Sequence, residues 1–206
     1  MKRVTLEKRG EAEYTEKKSV FIGYACPITS EEEAIEFVKA IKKKHADARH
    51  NVYAYRLNNG TIARYSDDGE PQGTAGIPVL DIIRKGGFDD AVIVVTRYFG
   101  GILLGAGGLV RAYSTAAKMA VEAAGIVTYD LFTCFDIKLN YTDNGKILPL
   151  VAEAEAMVDE VVYEDTVTQR LLLPVDEFEA FEKKVKELTA ARAEIIVTGQ
   201  RYDKRK

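Results

Sequence analysis

The run Ala91-Val92-Ile93-Val94-Val95-Thr96 is apolar without alternation. A strand with one wet face alternates apolar and polar residues, so an unbroken run of this kind belongs to a central strand covered on both faces. The chain therefore needs apolar layers on both sides of a sheet, and the neighbouring segments supply them. Ser30 followed by Glu33 forms a capping box. Ala34, Phe37, Val38 and Ile41 then recur at helical spacing, and Lys42-Lys43-Lys44 complements the C-terminal dipole. Pro78 opens a short helix carrying Val79, Leu80, Ile82 and Ile83, with Gly86 past its end. A third helix has Leu109, Tyr113, Ala116, Ala117, Ala120 and Ala124 on one face and Gly125 as its stop. Ser19 to Cys26 is a further strand, ended by Pro27. Asn51 to Leu57 turns through a type I′ Asn59-Gly60 pair into an antiparallel return over Thr61 to Tyr65.

The rest of the chain reads β-α-β-β-α-β: Phe132–Leu139, a helix over 142–157, Val158–Tyr163, Val167–Leu173, Asp176–Leu188 and Glu194–Thr198. That is the order of a ferredoxin-like split βαβ sandwich. Glu164-Asp165 turns its central hairpin, and Asp176 with Glu179 caps its second helix. Pro149 predicts a kink or a late start for the first helix, and Arg201 to Lys206 reads as a solvated tail. The fold class is α+β, in two domains covering 1–126 and 127–206.

With 206 residues, 47% apolar and 30% charged, the chain can build one large or two small cores, which excludes fibrous, collagen-like and disordered classes. The net charge of −3 is unevenly shared. Residues 1–126 hold 18 Lys/Arg against 16 Asp/Glu, and residues 127–206 hold 11 against 16, so a polyanion site belongs in the first half. No apolar run reaches the roughly 18–20 residues of a membrane span, and the N-terminus has no signal-peptide core, so a cytoplasmic protein without a membrane partner is expected. Cys26 and Cys134 are 108 positions apart and form no C-x-x-C pair. Two buried thiols are expected, with no disulfide framework, no structural zinc and no bound metal or cofactor.

Three segments hold more polar and glycine residues than folding needs. In Arg49-His50-Asn51-Val52-Tyr53-Ala54-Tyr55-Arg56, strand alternation puts His50 and Arg56 on one face and Tyr53 and Tyr55 on the other. Aromatics flanked by cations stack on exposed bases, but they are also ordinary half-buried strand residues. In Ser66-Asp67-Asp68-Gly69-Glu70-Pro71-Gln72-Gly73-Thr74-Ala75-Gly76, three carboxylates in four residues suit a structured turn, a hard cation or a general base, although the spacing fits no EF-hand. The third segment runs from Arg97-Tyr98-Phe99-Gly100-Gly101 through Gly105, Gly107 and Gly108 to Arg111. A glycine-rich turn feeding a helix N-terminus aims bare N–H groups at an anion, and Arg97 and Arg111 add bidentate donors. Neither a P-loop Lys-Ser/Thr nor a G-x-G-x-x-G register is present, and the glycines equally allow close packing of the chain on its own sheet.

In this order and spacing, the three segments resemble the YigZ/IMPACT family over residues 15–125. The carrying residues are Arg49-His50 with Ala54-Tyr55-Arg56, Ser66 to Pro71 with Gly73 to Gly76 and Pro78, and Arg97 to Gly101 through Gly105 to Tyr113. Residues 130–200 resemble the smaller C-terminal domain of bacterial members. The resemblance implies a first domain like the second domain of a small-subunit ribosomal protein and domain IV of elongation factor G. It implies a ferredoxin-like second domain. Eukaryotic relatives act in translational control by competing for the ribosome-associated activator of an amino-acid-starvation kinase, a pathway that bacteria lack, and the family supplies no catalytic residues to transfer. The expected function is a non-enzymatic, translation-associated regulator that contacts RNA, the ribosome or a ribosome-associated protein. The alternative is a small phosphate- or nucleotide-binding enzyme using the Gly100–Gly108 loop and the Asp67/Asp68/Glu70 cluster.

Overall fold

The computed structural model of the protein describes residues 2–205. It is α+β, with two antiparallel sheets and five helices, and it divides into two compact units. One unit is Val4–Thr128; the other is the chain from Tyr129 onward together with its first few residues. The elements are β1 (Lys2–Leu6), β2 (Gly10–Glu16), β3 (Ser19–Pro27), α1 (Glu31–Lys44), β4 (His50–Leu57), β5 (Ile62–Ser66), α2 (Gly76–Gly86), β6 (Ala91–Tyr98) and α3 (Gly105–Ala124). There follow β7 (Ile126–Leu139), α4 (Tyr141–Glu153), β8 (Met157–Tyr163), β9 (Val167–Pro174), α5 (Val175–Leu188) and β10 (Glu194–Asp203). No helix among the described residues is long and apolar enough to cross a membrane.

In the first unit the sheet order is β2-β3-β6-β4-β5, with β6 at the centre. Its residues alternate between two cores, as the unbroken apolar run requires. Ala91, Ile93 and Val95 pack with Val79, Leu80 and Ile83 of α2 and with the alanine face of α3, whereas Val92 and Val94 pack with Ala34, Val38 and Ile41 of α1. Burying each Val or Ile side chain contributes roughly 1.5–3 kcal/mol. The small residues of α3 let it lie directly on the sheet. A Cβ added at Gly23 of β3 would come within 2.4 Å of the Ala116 carbonyl oxygen, so only glycine fits that crossing. The capping box forms with a shift of one residue: Ser30 Oγ accepts from the Glu33 N–H, while the Glu33 carboxylate accepts from the N–H of Thr29.

The β4–β5 hairpin forms, but its loop is longer than a two-residue turn. Leu57 pairs with Ile62, and Asn58, Asn59 and Gly60 all have positive φ (53°, 54° and 81°). Two overlapping turns result, closed by Gly60 N–H to Leu57 O and Thr61 N–H to Asn58 O. The strands β1 and β2 have no counterpart in the sequence expectations.

In the second unit β7 pairs with both β9 and β10, and β9 pairs with β8, all antiparallel. Ile147, Leu150 and Val151 of α4 and Phe181 and Val185 of α5 cover Phe135, Ile137, Leu171 and Leu173 on one face. Three local expectations are corrected. Asn140 caps α4 at the Asp143 N–H, so the helix starts at Tyr141 rather than late at Pro149, which lies inside it. No side chain caps α5; Asp176 and Glu177 lie in its first turn instead. Residues Arg201 to Asp203 are strand rather than tail, pairing with Phe132 to Asp130, and Arg201 holds Asp159 in a bidentate pair.

Candidate functional site

Antiparallel pairing brings the start of β3, the start of β4 and the end of β6 to one end of the first sheet. There Arg97 stands opposite both Phe21 and His50. Arg97 is buried, and its guanidinium lies 5.4 Å from each of the Phe21 and Phe99 ring centres. Its Nη1 donates to Glu70 Oε1 at 2.6 Å, the Tyr113 hydroxyl donates to the same oxygen at 2.8 Å, and His50 Nε2 lies 3.8 Å away. Burial, with the charge of Glu70 second, pushes the Tyr113 phenol far up, so it stays a donor. His50 Nδ1 is 2.8 Å from the Asp68 carbonyl oxygen, which can only accept, so that nitrogen carries the hydrogen.

The three carboxylates of the acidic turn are each engaged by the fold. Asp67 accepts from the N–H groups of Gly73, Ala75 and Gly76 and thereby caps α2. Asp68 accepts from the Asn51 N–H and from Lys42, both at 2.6 Å. Glu70 is the acceptor at the centre of the buried cluster. Among the described residues no group of three His, Cys, Asp or Glu side chains is placed to hold a metal ion.

In front of this cluster lies a cavity of about 430 Å³, lined by Arg49, His50, Glu70, Arg97, Phe99, Leu103, Leu104, Gly105 and Ala106 among others. The acidic turn and the glycine segment thus border one space. The glycine segment itself divides: Gly100 and Gly101 are loop, whereas Gly105, Gly107 and Gly108 form the first turn of α3. That helix starts with no side-chain cap and no acidic residue in its first turn. The other helices start differently: α1 has Ser30 and three Glu, α2 has Asp67, α4 has Asn140, and α5 has Asp176 and Glu177. Its unpaired N–H groups and positive dipole end therefore face the cavity region uncompensated.

Around this end, Lys17, Lys18, Arg49 and Arg111 are exposed and make no hydrogen bond or ion pair among the described residues. Phe99 and Ile102 are each 41% exposed and Leu103 is 85% exposed. Four of the residues singled out in the sequence lie away from this space. Tyr55 is buried against α1 and so cannot stack on a base; burial, and then the hydrogen bond from its hydroxyl to Glu31, pushes its pKa up to about 12. Tyr53 stacks on Tyr55 on that same face. Arg56 pairs with Asp89 near the β4–β5 loop, and Tyr98 bonds His45 and Asp47. Nothing local marks Lys17, Lys18 or Leu103, since neither a Lys-Lys pair nor a lone Leu signals a turn or a site.

A second cavity, of about 580 Å³, is lined by Arg9, Cys26, Glu33 and Phe37. It is larger but poor in chemistry: Cys26 donates to the Pro27 carbonyl and burial pushes its thiol pKa up.

Comparison with known proteins places this architecture in a family of small α+β proteins. Residues 17–121 match the Impact N-terminal domain, and residues 137–192 match a domain of unknown function, DUF1949. The chain is 38% identical over 192 residues to the IMPACT family member YvyE of Bacillus subtilis, covering 93% of this chain and 88% of that one. It is 31% identical over 183 residues to the IMPACT family member YigZ of Escherichia coli, covering 87% and 90%. A crystal structure described as that of a hypothetical protein aligns with TM-score 0.61 at 28% identity, over 95% of this chain and 97% of the other. The chain belongs to the IMPACT family.

Proposed function

We propose that this protein is a non-enzymatic binding protein that contacts RNA on the ribosome through the surface around the N-terminus of α3. The observation that carries this reading is the uncapped first turn of α3, which lines the cavity together with unpaired Arg49 and exposed Phe99 and Leu103, while the unpaired Arg111 guanidinium lies beside Gly107 of that turn. Helix N-termini favour phosphate, and cations interleaved with aromatic and apolar groups suit single-stranded backbone and bases. The translational setting rests on the family resemblance. So does the reading of the first unit as like domain IV of elongation factor G. The pairing β10-β7-β9-β8 supports a ferredoxin-like second unit. Against the enzymatic alternative, Asp67, Asp68 and Glu70 each hold structural partners, so none of the three is kept apart from the fold for a cation or a proton transfer.

Co-sedimentation with ribosomes across a salt series tests the reading, run beside Arg49→Glu/Arg111→Glu. Both side chains are exposed and unpaired, so the variant should fold. Salt-sensitive binding of the wild type that the variant loses supports the proposal; salt-independent binding, or equal binding by the variant, overturns it.

A further inference from the structure

We infer that the Lys17-Lys18 turn is a second phosphate contact beside the α3 surface, so that the partner presents successive phosphates, as a single strand of RNA does, rather than one isolated anion. This rests on the polyanion reading of that surface.

The turn joins β2 to β3 by two residues: Glu16 pairs with Ser19, and Lys17 and Lys18 between them have φ of 45° and 66°. Two central residues at positive φ define the type I′ hairpin, a place where Asn-Gly is favoured because side chains on L residues crowd the backbone there. Lysine at both positions gives up local stability, and neither side chain recovers it within the fold. Both are exposed and make no hydrogen bond or ion pair among the described residues. Their neighbours are used: Glu16 accepts from the Tyr14 hydroxyl, and Ser19 Oγ accepts from the Gly100 N–H at 3.1 Å. Backbone strain held where the fold gains nothing from the side chains points to a role for them outside the fold.

The turn is also pinned to the candidate site. A Cβ at Gly100 would lie 2.0 Å from the carbonyl carbon of Lys18, so the glycine loop and the turn are in direct backbone contact that only glycine permits. The turn therefore sits against the loop that carries Phe99 and Leu103 to the cavity rim. An anion seated at the cavity engages Arg49 and the α3 N–H groups and leaves the turn idle. A strand that continues past Phe99 and over Gly100 brings a following phosphate to Lys17 and Lys18, with the exposed ring between the two cationic contacts. Alternating cation and aromatic contacts of this kind are how single strands are held without base specificity.

The test replaces the turn by its lower-strain equivalent, Lys17→Asn/Lys18→Gly, and follows binding to a fluorescent oligouridine as salt is varied. The variant is expected to melt about 2–4 °C higher than the wild type. Its plot of log affinity against log salt is expected to be shallower by about 0.7, the contribution of the one phosphate contact to a single strand that the variant loses. Lys17→Arg/Lys18→Arg should keep the wild-type slope. An unchanged slope in the Asn-Gly variant, with salt-sensitive wild-type binding intact, overturns this inference and leaves the site reading standing. A wild type that ignores the oligonucleotide, whether or not it sediments with anionic phospholipid vesicles, overturns both.

Discussion

Arg97 and Glu70 form a buried ion pair that ties the end of β6 to the acidic turn, with Nη1 and Oε1 2.6 Å apart and side chains 6% and 4% exposed. The pair is roofed by the Tyr113 hydroxyl from α3, so three elements meet on one carboxylate oxygen. Removing one member of such a pair leaves the other charge buried without compensation, at a cost of about 3–5 kcal/mol. Arg97→Ala is therefore expected to lower stability by an amount of that order, read as a fall in the denaturant midpoint. Arg97 thus serves as the fold's anchor beneath the site, and its alanine variant reports on folding before it reports on binding. A near-neutral effect on the midpoint would refute the anchoring role.

Asp67 caps α2 from outside the helix, since its two oxygens take the N–H groups of Gly73, Ala75 and Gly76. Asp67→Ala is expected to cost about 1–2 kcal/mol in denaturant unfolding, the upper range for loss of an N-cap, because several donors are orphaned together. Addition of Mg²⁺ should not change the wild-type stability, as the carboxylate is already committed. A clear Mg²⁺-dependent rise would contradict that assignment.

His45 joins two tyrosines in a directional chain on the α1 side of the sheet. Lys44 donates to the Tyr24 hydroxyl, which lies 2.7 Å from His45 Nε2; His45 Nδ1 lies 2.8 Å from the Tyr98 hydroxyl, which donates to Asp47. Every group is satisfied by a neutral imidazole that accepts at Nε2 and donates at Nδ1. Burial, and then the charge of Lys44, lowers its pKa below the usual histidine value. The unfolded chain then binds the proton first on acidification. The stability contributed by neutral His45 is present above about pH 6.5 and declines as pH falls below it. Unfolding midpoints measured between about pH 7.5 and about pH 5 should fall in the wild type and flatten in His45→Gln. Parallel curves for the two proteins would exclude His45 as the source.

The parts of the fold that the sequence shows clearly are those where one residue type forces one environment. The run Ala91–Thr96 has no polar position to turn toward water, and the alanines of α3 leave room only for close contact with β2 and β3. The edge strand β2 escapes detection because Glu11, Glu13 and Thr15 are exposed and only Ala12 and Tyr14 between them face inward. The loop after β4 is longer than its Asn-Gly pair suggests because Asn58 also adopts positive φ. At the site, the three segments could be recognised by composition, but their roles depend on contacts distant in sequence. Nothing local to Arg97 shows that Glu70, 27 positions away, will neutralise it. Likewise, only the three-dimensional fold shows that Asp67 serves α2 rather than a cation.

The proposed binding of anions at the first turn of α3 is tested by Ala106→Asp. Ala106 is exposed at the cavity and lies in that turn, which carries no acidic residue. A carboxylate there complements the dipole, so the variant should fold with unchanged or slightly greater stability, by about 0.3–1 kcal/mol. It should also compete with phosphate for the same N–H groups and lower oligouridine affinity by about tenfold or more, equivalent to about 1.4 kcal/mol. Equal affinity of wild type and Ala106→Asp at low salt, in proteins of equal stability, would rule out anion binding at this turn.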